Sequence, residues 1–135
     1  MSEPVAYVST YRIKEGRFGD YERFYEQLVR AVEANEPRVA AFLAFADPEG
    51  TEMTFVHVFP DARALDHHMV VLAEQMGLLP DDLKAVFEVM EPIRIDVYGQ
   101  PGGEAAALDH GMMDSGVPFT SKPRYLGGFT RAPSA

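Results

Sequence analysis

Two short apolar runs joined by a turn constrain this chain more than any other feature. Val39 to Ala46 (VAAFLAFA) and Glu52 to Phe59 (EMTFVHVF) flank Asp47-Pro-Glu-Gly50, a sequence suited to a tight reversal. They predict a β-hairpin with a loop of about five residues. Side chains on a strand alternate between its two faces. Here both sets are apolar or small: Val39, Ala41, Leu43 and Phe45 against Ala40, Phe42, Ala44 and Ala46, then Phe55 and Phe59 against Val56 and Val58. A sheet built on this hairpin has to be covered on both sides, because folded chains leave only limited apolar patches in water.

The flanking segments indicate what covers one side. Val5 to Ile13 (VAYVSTYRI) is rich in β-branched and aromatic residues and reads as a strand. Asp20 to Asn35 carries Tyr21, Phe24, Leu28, Ala31 and Val32 at helical spacing, with Asp20 as a candidate N-cap. Asp61 to Met76 places Leu65, Met69, Leu72 and Met76 on one stripe, with Asp61 at its start. A short helix is expected over Asp82 to Met90, and Ile93 to Tyr98 (IRIDVY) alternates as a last strand. The order predicts an α+β, ferredoxin-like βαββαβ domain over residues 1–98, a four-stranded antiparallel sheet with helices on one face.

The helices leave the second face uncovered. A two-fold homodimer solves this with one self-complementary patch, giving a dimeric α+β barrel. In the alternative, the C-terminal segment folds back over that face of a monomer. That segment, residues 99–135, is rich in Gly and Pro and is either a disordered tail or an extended arm; the apolar anchors Val117, Phe119, Tyr125, Leu126 and Phe129 favour the arm.

Composition removes several function classes. The 135 residues include no cysteine, which excludes disulfides, thiolate nucleophiles and cysteine-held clusters or zinc. A net charge of −9, with scattered Lys and Arg, argues against a nucleic-acid partner. No run approaches the length of a membrane span and no secretory signal is visible, so a cytoplasmic address without membrane partners is expected. Gly102-Gly103 belongs to no phosphate-binding pattern.

Three stretches resemble the dimeric α+β-barrel proteins, within them the antibiotic biosynthesis monooxygenase-like group. They are Tyr11-Arg-Ile-Lys-Glu-Gly16 leading into Asp20-Tyr-Glu-Arg-Phe24, then Phe55-Val-His57-Val-Phe59-Pro-Asp61-Ala-Arg-Ala64-Leu-Asp-His-His68, and the closing strand Ile93 to Tyr98. The resemblance covers about residues 5–98. The group often has Glu at the position of His57, Trp at Phe59 and His at His68. It includes oxygenases of phenolic or quinol substrates that use neither metal nor flavin. Haem-degrading members differ more: their strand-one Asn corresponds to Ser9, their haem-ligand His falls near Gly77, and their Trp is absent. The resemblance therefore implies a cofactor-independent monooxygenase-like protein for small aromatic or hydrophobic molecules. The alternative is a non-catalytic small-molecule-binding or stress-associated dimer of the same fold.

Oxygenation without a cofactor needs a base near neutrality, donors for a developing oxyanion and a dry pocket. His57, in mid-strand between Phe55 and Phe59, is the candidate base, although a structural histidine would occupy the same place. Tyr7 and Tyr11 are the candidate hydroxyl donors, and Ser9 lies between them on the same face. Phe55, Phe59, His68 and Met69 are expected to line the pocket, with His68 at the edge of its helix stripe and His67 in solvent. No metal or other cofactor is expected. Arg94 and Asp96 are read as an ion pair or a polar contact across the dimer interface.

Overall fold

A computed structural model describes residues 3–81 and 90–131. Its elements run β1 (Val5–Arg12), α1 (Phe18–Asn35), β2 (Ala41–Ala46), β3 (Glu52–Phe59), α2 (Ala62–Gly77), β4 (Glu91–Tyr98), α3 (Gly103–Asp114) and β5 (Phe119–Lys122). The sheet order is β2-β3-β1-β4-β5. The first four strands pair antiparallel, as the βαββαβ reading requires. The expected helix at 82–90 falls on residues 82–89, outside those described.

One expectation needs correction: the sheet has five strands rather than four. β5 lies parallel to β4, Ile95 opposite Phe119 and Tyr98 opposite Lys122. Parallel neighbours need a crossover, and α3 supplies it. The segment beyond residue 98 is therefore not simply an extended arm. Ala105 is 3% exposed and joins Val5, Phe59, Ala64 and Leu65 in one core cluster. Residues 123–131 belong to neither helix nor strand, with Leu126 and Phe129 largely in solvent.

Local chemistry sets the boundaries. Asp61 caps α2, its carboxylate accepting from the Ala64 amide at 2.9 Å while also meeting Arg38. Asp20 does not cap α1, which begins two residues earlier behind Arg17. It sits in the first turn, where its charge complements the helix dipole and meets the Arg17 guanidinium at 2.7 Å. The hairpin turn uses Gly50 at φ +70°, with the Asp47 side chain accepting from the Thr51 and Glu52 amides.

The three helices among the described residues contribute to one face of the sheet, and this fixes two kinds of side-chain row. On the covered face Phe42, His57, Tyr7 and Val97 lie side by side, followed by Ala44, Phe55, Ser9 and Ile95. On the other face the rows are Leu43, Val56, Val8 and Asp96, then Ala41, Val58, Ala6 and Tyr98. Leu43 is 48% and Phe45 60% exposed. With α3 on the helical side and β5 at the sheet edge, neither covers this second face. Among the described residues no helix is long and apolar enough to cross a membrane.

Candidate active site

The space between sheet and helices holds a cavity of about 360 Å³, at the lower end of small-molecule sites. The strand period places its floor: Tyr7, Ser9 and Tyr11 of β1, Met53, Phe55, His57 and Phe59 of β3, and Ile95 of β4. Tyr25 and Leu28 of α1, His68 and Met69 of α2, and Leu108, Asp109 and Met112 of α3 complete the walls. All the site residues expected from sequence line this one cavity: His57, Tyr7, Tyr11, Ser9, Phe55, Phe59, His68 and Met69. Three polar pairs stand in or behind its walls, and Ser9, Tyr11 and Tyr21 add further hydroxyls to the lining.

In the first pair, the Tyr25 hydroxyl lies 3.1 Å from His57 Nε2. The imidazole stacks on Phe42 with ring centres 3.9 Å apart. Burial, helped by the neighbouring His68, lowers the His57 pKa from 6.5 to about 3. His57 is thus a neutral ring at neutral pH, able to accept a hydrogen bond or a proton but a weak holder of one. Burial also raises the Tyr25 pKa, keeping its hydroxyl a donor.

In the second pair, His68 Nδ1 lies 3.1 Å from both oxygens of Glu36, which stands just past the end of α1. His68 is 5% and Glu36 4% exposed. The carboxylate fixes the imidazole proton on Nδ1 and sets the ring orientation. The His68 ring packs edge-on to His57 at 6.0 Å and to Phe42 at 5.2 Å. His67, on the exposed side of α2, reaches the Asn35 carbonyl instead.

The third pair joins β1 to α3. The Tyr7 hydroxyl donates to Asp109 Oδ2 at 2.8 Å across 102 positions of sequence. Burial raises the Asp109 pKa above the usual carboxylate value. Burial, then this hydrogen bond, raises that of Tyr7, and burial with the Asp109 charge raises that of Tyr11.

Sequence reasoning missed Tyr25, Glu36 and Asp109. A signal for Asp109 existed: Ala105, Leu108, Asp109 and Met112 stand at i, i+3, i+4 and i+7, one face of a helix. Arg94 and Asp96 lie away from the cavity and form an ion pair within β4 at 3.1 Å, reinforced by Thr120 of β5.

No protein-family model matches the chain, and no curated protein matches it in sequence. Solved structures do match in fold. MupZ from Pseudomonas fluorescens superposes with a TM-score of 0.64 at 18% identity, over 95% of this chain and 91% of that one. SnoaB, a cofactor-independent oxygenase from Streptomyces nogalater, gives 0.55 at 10% identity, over 76% of this chain and 97% of that one. A provisionally named antibiotic biosynthesis monooxygenase from Bacteroides thetaiotaomicron gives 0.55 at 15% identity, over 70% and 85%. A match over 95% of 135 residues has to extend well past Tyr98, so the likeness to MupZ includes part of the segment that carries α3 and β5. The chain has the ferredoxin-like α+β fold of antibiotic biosynthesis monooxygenase-like proteins, with three helices and a five-stranded sheet among the described residues.

Proposed function

We propose that this protein is a cofactor-independent, monooxygenase-like enzyme for a flat phenolic or quinol molecule, working as a homodimer. The observation that carries the reading is the cavity itself: aromatic and Met walls with three polar pairs in or behind them, one a neutral imidazole beside a tyrosine hydroxyl. A ring inserted there would meet Phe55, Phe59 and Met69 on its faces. Its oxygen would meet the Tyr25 hydroxyl as donor, which favours the oxyanion formed on deprotonation. The electron-rich anion then reacts with O₂. Overall a ring C–H of the phenol becomes a quinone carbonyl; one oxygen atom enters the carbonyl and the other leaves as water. His57 accepts a hydrogen bond from the substrate and holds it by stacking, while the Glu36-anchored His68 keeps the adjacent wall fixed. The named oxygenase activity of SnoaB supports this reading by analogy of fold. The apolar open sheet face supports the dimer.

The test is oxygen uptake with dihydroxyanthrone and naphthohydroquinone as probes, with non-enzymatic oxidation subtracted. Turnover is expected, and His57→Ala should lower it by about 10²-fold, the scale of losing a positioned polar group. Full turnover in that variant would remove His57 from the mechanism. Saturable binding without oxygen uptake would leave the non-catalytic binding dimer as the better description.

A further inference from the structure

We propose that Asp109, carried into the cavity by α3, is the group that takes the proton from the ligand's hydroxyl, with Tyr7 as its positioning partner. This deepens the reading above and rests on it for the ligand class. The inference starts from geometry. Asp109 lines the cavity, and its Oδ2 is engaged by the Tyr7 hydroxyl at 2.8 Å. Its other oxygen, Oδ1, has no hydrogen-bond partner among the described residues. Tyr7 in turn lies next to His57 across the β1–β3 pair, so the carboxylate stands over the central row of the cavity floor. A half-buried carboxylate held by one oxygen, with the second unpaired, is arranged to receive a proton.

The other titratable groups are less suited. His57 binds a proton weakly in this surrounding. The His68 imidazole is engaged through Nδ1 by Glu36. Tyr7 and Tyr11 remain protonated well above neutrality. Asp109, with its proton affinity raised by burial, binds a proton more readily than a solvated carboxylate. The Tyr7 hydrogen bond, and after it the exposed His110 next along α3, moderate that increase without reversing it.

The step balances simply. The ligand O–H bond breaks, the proton passes to Asp109 Oδ1, and the electron pair stays on the ligand oxygen as a phenolate-type anion. The Tyr7 hydroxyl keeps its hydrogen bond to Oδ2 and fixes the carboxyl plane. Two consequences for ligand choice follow. A hydroxyl ether should be a poor substitute for the free hydroxyl, and α3 should belong to the site as much as β1 and β3 do.

The experiment uses 2-naphthol, whose excited state is a strong acid and whose neutral and anionic forms emit at different wavelengths. Bound to the full-length protein at pH 7, it should show strong naphtholate emission and bind about tenfold tighter than 2-methoxynaphthalene, the scale of one hydrogen bond to a charged group. Asp109→Asn, which keeps the shape and an acceptor oxygen but cannot take the proton, should lower the ratio of naphtholate to naphthol emission several-fold while binding persists. Tyr7→Phe should lower it less. An unchanged ratio in Asp109→Asn, a drop confined to His57→Gln, or the absence of naphthol binding would each overturn the proposal. An Asp109-dependent emission ratio without oxygen uptake would instead overturn only the oxygenase reading.

Discussion

Burying an imidazole with no carboxylate against it makes folding compete with protonation, and His57 is placed that way. Its pKa falls from 6.5 in the unfolded chain to about 3 in the folded one. The unfolded chain therefore holds the extra proton between those values, so stability is full above about pH 6.5 and declines as pH falls toward 3. The linked loss reaches at most about 5 kcal/mol. Asp47 and Asp61, whose pKa values are lowered by hydrogen bonds to Thr51 and Arg38 respectively, add losses only below the usual carboxylate range. Asp109, whose pKa burial raises, acts in the opposite sense, so comparison with His57→Gln isolates the histidine: urea unfolding at pH 7.5, 6 and 5 should show stability falling in the parent chain and a flatter series in the variant. Glu36 makes a different prediction. Glu36→Ala strands His68 Nδ1 in the interior and should cost about 1–3 kcal/mol. Glu36→Gln retains an acceptor and should recover most of that in the same measurement.

At the scale of elements, the junction between β4 and α3 depends on Gly99. It sits at φ +92°, and a Cβ there would meet the Pro4 carbonyl oxygen at 2.4 Å. Gly99→Ala combines backbone strain with this clash and should cost about 2–4 kcal/mol, read as a lowered urea midpoint. The strands and the first two helices were legible because their apolar periods are long: β3 runs from Glu52 to Phe59 as read, and Asp61 caps α2 as expected. α3 was not, since Ala105 is small, Gly103 and Gly111 interrupt it, and it presents little contrast between its faces. β5 is four residues, Phe-Thr-Ser-Lys, too short and polar to show a strand period. The same division holds in the site. Tyr7, Ser9 and His57 follow from strand alternation alone. Tyr25 and Glu36 depend on which helices close over the sheet, a long-range fact that no local pattern encodes, while the helical spacing that points to Asp109 is obscured by the weak contrast of α3.

For the whole molecule, the face bearing Leu43, Phe45, Val56 and Val58 decides the assembly state. If a second copy covers it, sedimentation velocity should give a dimer, and Leu43→Glu with Phe45→Glu should shift it to monomer. A monomeric wild type would leave that face without its proposed partner. The long span between Tyr7 and Asp109 has a consequence for synthesis. All four antiparallel strands precede residue 99, so a nascent chain can assemble that part of the sheet before α3 has left the ribosome. Such a chain has the floor of the cavity and the two histidines, yet lacks the carboxylate on α3. Ligand handling that depends on Asp109 is therefore withheld until α3 has been made and has closed over the sheet.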